Sequence, residues 1–125
     1  MHLIFDTSIL IELDRGNKDI IKKISELIKK YPAPAKISVI SYFEFLYGLR
    51  NKNEKNRNKS LEFIEKFDVV QFSKATAVIL VKFKQDYEFP LADLIIASQT
   101  EEKRGVLVTR DNDFKEIKEI NKIIL

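Results

Sequence analysis

Four carboxylates, Asp6, Glu44, Asp93 and Asp111, each interrupt a largely apolar stretch: LIFD, SVISYFE, PLADLIIA and VLVTRD. Each is expected where an apolar strand hands over to a helix or turn, or in a helix's first turn. Strands that alternate with amphipathic helices predict an α/β domain with a mostly parallel sheet and right-handed crossovers. In such a fold the carboxyl ends of the strands share one rim, and open α/β proteins place their ligands there. Acids gathered on that rim repel one another. At roughly 5.5 Å and an effective dielectric of about 20, each ionised pair costs about 3 kcal/mol. A divalent cation is the simplest remedy, so the layout points to a metal site.

The periodicity along the chain supports that class. His2 to Phe5 is a short apolar run, and Thr7 to Leu13 continues it at helical spacing. Ile20, Ile21, Ile24, Leu27, Ile28 and Tyr31 follow the i, i+3/i+4, i+7 pattern, with Pro32 and Pro34 as the stop. Lys36 to Ile40 reads as a second strand and Ser41 to Leu49 as a helix with Phe45, Leu46 and Leu49 inward. Leu61, Ile64 and Phe67 mark a further helix, and Asp68 to Phe72 a third strand. Ala75 to Tyr87 is expected to be helical, although its TAVILV segment would also suit a strand. A helix so apolar all round is either deep in the core or covered by another subunit. Pro90 to Arg104 reads as a helix, with Gly105 as its left-handed terminator. Val106 to Thr109 is the fourth strand, 111–117 a turn and short helix, and Lys122 to Leu125 a last edge strand.

The 125 residues, 45% hydrophobic and 33% charged, suffice for one domain over 1–125 with a single core. The absence of cysteine excludes disulfides, thiolate zinc sites and cysteine nucleophiles. The apolar opening is broken by Asp6 and Glu12 and has no basic leader, so it reads as strand into helix rather than signal peptide. No apolar stretch reaches the ~20 residues of a membrane span, and a cytoplasmic protein is expected. The single histidine, His2, begins the first strand, at the opposite edge of the sheet from Asp6. Acid–base chemistry by histidine at the rim is thereby excluded. Net charge is +3, and the stretch RNKNEKNRNK over 50–59 sets Arg50, Lys52, Lys55, Arg57 and Lys59 against Glu54 alone. Such a run is either a polyanion contact or a solvated, mobile connection between helices.

Each acid has an ordinary reading as well. Asp6 before Thr7 suits a helix N-cap, and Ser41 with Glu44 forms an S-x-x-E capping box. Asp93 suits the first turn after Pro90 through the helix dipole, and Asp111 and Asp113 suit a turn. Jointly, the four favour a shared site. Oxygen-only donors favour a hard cation, Mg²⁺ or Mn²⁺.

The succession FDTSIL, ISVISYFEFLYGL, PLADLIIAS and LVTRDNDF, in that order over nearly the whole chain, resembles the PIN domain. More narrowly, it is similar to the VapC-type toxins of prokaryotic toxin–antitoxin pairs. The resemblance implies a Mg²⁺- or Mn²⁺-dependent endoribonuclease with a five-stranded, mostly parallel sheet of order 3-2-1-4-5 flanked by helices. By motif match Asp6, Glu44, Asp93 and Asp111 take the acidic, metal-binding positions, Ser8 and Thr109 the supporting hydroxyls, and Asp113 an additional acid. It further implies an RNA substrate, a homodimer and a cognate antitoxin over the acidic groove. Arg110 and the basic residues of 50–59 are candidates to hold the RNA backbone. The chain departs from the pattern between Ala77 and Pro90, where relatives often have a longer helix pair.

Other classes fit less well. A phosphorylated receiver domain needs an acid pair after its first strand, and a haloacid dehalogenase-type phosphatase needs D-x-D; here the residues are Asp6-Thr7-Ser8. The alternatives that share the fold are a PIN nuclease of RNA processing or quality control and a non-catalytic module that binds RNA or protein.

Overall fold

Leu3, Ile4 and Phe5 have almost no solvent exposure, and Val106, Leu107 and Val108 are buried with them. Two strands buried on both faces belong at the centre of a parallel sheet with helices on either side. In the computed structural model, which describes residues 1–125, they do. Leu3–Phe5 (β1) pairs with Lys36–Ser38 (β2) on one side and with Val106–Thr109 (β4) on the other. Asp68–Val70 (β3) and Asn121–Ile124 (β5) form the edges. All pairings are parallel and the order is β3-β2-β1-β4-β5, as the resemblance implies.

Thr7–Arg15 (α1), Lys18–Lys30 (α2), Val39–Gly48 (α3) and Glu54–Ile64 (α4) connect the first three strands. Lys74–Asp86 (α5) and Leu91–Glu102 (α6) lead from β3 to β4. The core has two parts. Leu3, Phe5, Ile37, Val106 and Val108 point to one face of the sheet and pack against Ile9, Leu10, Ile20, Ile24, Phe45 and Ile64. Ile4 and Leu107 point to the other, against Phe83, Leu94, Ile96, Phe114, Ile117 and Ile120. The alternation along β1 and β4 is the period of two that a pleated strand imposes. No helix is long and apolar enough to cross a membrane.

Several expectations are corrected. The second strand ends at Ser38, not Ile40, because Ser38 turns the chain: its Oγ accepts from the Ile40 amide at 3.0 Å and caps α3. The Ser41–Glu44 capping box is therefore absent; Ser41 is fully buried with its Oγ unpartnered, inside the first turn of a helix that has already begun. Gly105 is not the left-handed residue after α6. That conformation falls on Arg104, at φ 50°. Gly105 is required by close approach instead: a Cβ there would lie 2.7 Å from Ile4 Cδ1 and 3.0 Å from the His2 carbonyl oxygen. The true left-handed cap is Gly16, φ 78°, which ends α1. Of the residues assigned to the inner face of α2, Ile20 and Ile24 are buried, whereas Ile21 and Ile28 are exposed.

The basic stretch is largely helical: a 3₁₀ turn over Leu49–Asn51 runs into α4, capped by Asn53. Lys52 is held by the Asp14 carboxylate at 3.2 Å and the Ser60 hydroxyl at 3.1 Å, and Arg57 donates to the Lys52 carbonyl oxygen at 2.8 Å.

The ambiguous TAVILV segment is helical, within α5. It packs antiparallel to α6: Ser73 Oγ, ahead of α5, donates to Glu102 Oε2 at the end of α6 at 3.1 Å, and Thr76 also bonds Glu102. Phe83 and Thr76 face inward, while Val78 and Val81 stay 72% and 59% exposed, so the helix keeps an uncovered apolar face.

Candidate metal and nucleic-acid site

The order of the strands reverses at β1, whose chain-order neighbours lie on one side and β4 on the other. The crevice outside the carboxyl ends of such a pair is where open α/β sheets bind ligands. Asp6 follows β1 directly and Asp111 lies two residues beyond β4. Asp6 is buried, at 7% exposure, and every part of its carboxylate is held. Oδ1 accepts from the Thr7 amide at 2.8 Å, capping α1; Oδ2 accepts from Thr109 Oγ1 at 2.7 Å and from Ser8 Oγ at 3.4 Å. Thr109 Oγ1 also accepts from the Asp111 amide at 3.0 Å, so one hydroxyl joins the two strand-end acids. Asp111 Oδ1 accepts from the Asp113 amide at 2.9 Å, the turn bond expected of it. Burial outweighs these hydrogen bonds and raises the Asp6 pKa, and the Glu44 charge adds to the rise.

The other two acids reach the rim differently. Asp93 lies in a helix's first turn, as expected, although no strand directly precedes that helix; Glu44 departs from the expectation, lying in the second turn of α3. The antiparallel α5–α6 pair returns the chain to the rim, so Asp93 enters from the first turn of α6. Glu44 Oε1 accepts from Thr7 Oγ1 at 2.7 Å, which ties α3 to the start of α1 beside Asp6. Thr7 is not among the residues the sequence singles out, because nothing there distinguishes it from any residue after an N-cap.

Asp93 records the electrostatics of the cluster. Its pKa is pushed up to about 6, chiefly by burial and then by the charges of Asp6, Asp111, Glu44 and Asp113. The burial is explained by its setting: Asp93 and Asp113 share a small cleft with Phe89, Phe114 and Ile117. The acids therefore sense one another across one rim, yet no three of them stand at metal-ligand spacing as the side chains lie. Every donor is a carboxylate oxygen, the set a hard divalent cation accepts, so the residues fit Mg²⁺ or Mn²⁺ in kind.

Of the basic candidates, Arg110 is nearest. It follows Thr109, and its Nη1 lies 3.6 Å from Glu12 Oε1. Arg50 is exposed and stacks over the Tyr47 ring, 4.0 Å from its centroid. Lys55 and Lys59 are exposed on α4. Lys52 Nζ contacts Asp14 and Ser60, and Arg57 Nη2 donates to the Lys52 carbonyl oxygen, so each has part of its hydrogen-bonding capacity engaged within the protein, as Arg50 does through the Tyr47 carbonyl oxygen.

A sequence model of the PIN domain matches residues 3–120. The chain belongs to the PIN-domain family. It is 34% identical over 99 residues to Ribonuclease VapC3 of Methanocaldococcus jannaschii, covering 78% of this chain and 97% of that one. Among solved structures, VapBC2 from Rickettsia felis bound to a DNA fragment from its promoter superposes with a TM-score of 0.84 at 24% identity, covering 100% of this chain and 99% of that one. A toxin–antitoxin complex from Klebsiella pneumoniae gives 0.78 at 25% identity, covering 97% and 95%. The PIN fold explains why the rim is built as it is: the switch point between β1 and β4 gathers the acids, and the paired helices α5 and α6 deliver Asp93 to it.

Proposed function

We propose that this PIN-domain protein is a Mg²⁺- or Mn²⁺-dependent endoribonuclease and the toxin of a VapBC-type pair. The observation that carries the reading is the gathering of acids at one rim: Thr109 Oγ1 joins Asp6 to Asp111, Thr7 ties Glu44 beside Asp6, and the first turn of α6 brings Asp93 to the same place. The similarity to Ribonuclease VapC3 supports RNA as the substrate, and the likeness to toxin–antitoxin complexes supports a cognate antitoxin as partner.

Asp6, Asp93 and Asp111 would hold the cation, with Glu44 helping to bind it or a second one. The cation, when bound, makes water a stronger nucleophile at neutral pH and offsets charge that builds on the phosphate oxygens. The protein's part is orientation. Thr109, Ser8 and the Thr7 amide fix the plane of the Asp6 carboxylate before any ligand arrives, and such supporting bonds typically govern affinity and activity. Thr7 does the same for Glu44. Asp113 adds charge beside Asp93 and positions Asp111 through its amide. Arg110 and the basic residues of 50–59, Arg50, Lys52, Lys55, Arg57 and Lys59, would meet the RNA backbone. Attack by water rather than by the ribose 2′-hydroxyl leaves a 5′-phosphate.

The uncovered face of α5, where Ala77, Leu80 and Val81 form an apolar cleft with Leu91, suits self-association, and a homodimer is part of the proposal.

The test is incubation of the purified protein with total cellular RNA in Mn²⁺ or in excess EDTA, followed by mapping of the cut ends. Cleavage in Mn²⁺ with 5′-phosphate ends is expected. Asp6→Asn should lower it roughly a thousandfold, the worth of several kcal/mol of charge stabilisation. The fold should survive, because asparagine keeps the N-cap acceptor. Cleavage that persists in EDTA, or a fully active Asp6→Asn protein, would refute the reading.

A further inference from the structure

Glu12 holds two arginines at once. Its Oε1 lies 3.2 Å from Arg15 Nη1 and 3.6 Å from Arg110 Nη1, while Oε2 accepts from Asn17 Nδ2 at 2.7 Å. The Glu12 side chain is 15% exposed, whereas those of Arg15 and Arg110 are 68% and 46% exposed. One carboxylate cannot neutralise two guanidinium groups, so the trio keeps a net positive charge. Each arginine also spends only one of its amino groups on Glu12. An exposed ion pair of this kind contributes little to stability; what it does is restrict where two long side chains can go.

The trio adjoins the acidic rim directly. Ser8 Oγ donates to Asp6 Oδ2 at 3.4 Å and accepts from the Arg110 amide at 3.2 Å. Ser8, Ile11, Glu12, Arg15 and Arg110 line one open cleft of about 430 Å³. Ser8, Glu12 and Arg15 follow one another along a single face of α1, at helical spacing. Seven residues of helix span roughly 10 Å, a distance an extended single strand covers in a nucleotide or two. Sequence reading does not single out Arg15, because a basic residue three positions after a glutamate is an ordinary helix pair.

We propose that Arg15 and Arg110, aimed by Glu12, form a clamp for the phosphodiester backbone of the RNA flanking the bond to be cut. The inference rests on the ribonuclease reading and adds to it a residue, Arg15, and a path for the strand, away from Asp6 along α1. Guanidinium groups suit the role because their planar fork can take two phosphate oxygens at once. Glu12 is a positioning residue, and the arginines are the ones that touch substrate.

The experiment is binding of a short, fluorescently labelled single-stranded oligoribonucleotide in EDTA, over a series of salt concentrations. The proteins are the full chain, Arg15→Gln, Arg110→Gln and the double variant. Removing one phosphate-binding arginine should reduce the slope of log affinity against log salt by about 0.7, and the double variant should show both reductions. Affinity at low salt should fall by about tenfold per arginine, a charge-assisted hydrogen bond's worth. Arg15→Lys should restore most of the slope but not all of the affinity. Melting temperature and Mn²⁺ binding should stay those of the unmodified protein.

An unchanged slope and affinity in the double variant, with the unmodified protein binding and cutting RNA normally, would overturn the clamp alone. So would variants that bind RNA normally but no longer bind the antitoxin. If the unmodified protein neither binds nor cuts RNA, the ribonuclease reading fails and the clamp fails with it.

Discussion

Asp93 and Asp68 are the same residue type at opposite rims of one sheet, and their surroundings drive them in opposite directions. Asp68 opens β3 at the amino rim, where the Lys36 ammonium stands 2.5 Å away and lowers its pKa. Asp93 stands at the carboxyl rim, where burial and four more acids push it up to about 6. At the amino rim charges meet opposites, His2 Nδ1 bonds the Pro34 carbonyl oxygen at 2.6 Å, and Gly105 lets β4 close against His2 and Ile4. That end is made for holding the sheet together. The carboxyl rim keeps a repulsion that folding alone gains nothing from, and proteins tolerate such frustration where they bind and react.

The contrast can be broken from either side. The largest effect after loss of Asp6 should come from Thr109→Val, which removes the hydroxyl joining Asp6 to Asp111. Cleavage and Mn²⁺ affinity should drop about 10- to 100-fold, read from initial rates and titration calorimetry. At the amino rim Gly105→Ala should cost roughly 1–3 kcal/mol of stability through overpacking against Ile4 and the His2 carbonyl, measured by urea denaturation. The acids at the far rim should be unaffected.

Asp93→Asn should separate function from stability. A carboxyl whose folded pKa lies above its unfolded one favours the fold while protonated. That contribution is complete below pH ~4, the unfolded carboxyl range, and is lost as pH rises through about 6. Stability without added metal should therefore fall between those values, and the asparagine variant should not show the fall. At pH 7 it should be the more stable protein by about 1 kcal/mol, after discounting for solvent screening, or roughly 4 °C in melting temperature. A variant that melts lower at pH 7, or shows the same pH slope, would mean the repulsion at this rim is not real. The smallest effect belongs to Lys36→Met, which removes a pair whose aspartate is exposed and should leave both cleavage and melting temperature nearly unchanged.

The topology was legible because its signals are local and repeated. Apolar runs fix β1 and β4, i, i+3/i+4 spacing fixes the helices, and four acidic motifs in order identify the PIN domain. Boundaries were less so, since Ser38 rather than Ser41 is the residue that turns the chain, and both are serines preceding apolar residues. Asp93 could be named but not its route, because the return of the chain by α5 depends on the contact of Ser73 and Thr76 with Glu102, 26 or more residues away. Thr7 and the Arg15–Glu12–Arg110 trio were hidden for the same reason: their partners are set by the crossing of α1, α3 and β4. The basic run over 50–59 was visible as charge density, which says nothing of which side chains already have a partner, as Lys52 does in Asp14.

Titration of the full chain with Mn²⁺ at neutral pH, beside Asp6→Asn and Asp93→Asn, tests most directly whether the carboxyl rim is a cation site. The expected result is saturable binding by the unmodified protein, weakening below pH ~6 as carboxyls protonate, and at least about tenfold weaker binding by either variant. Binding that is absent in the unmodified protein, or equal in all three, would contradict it.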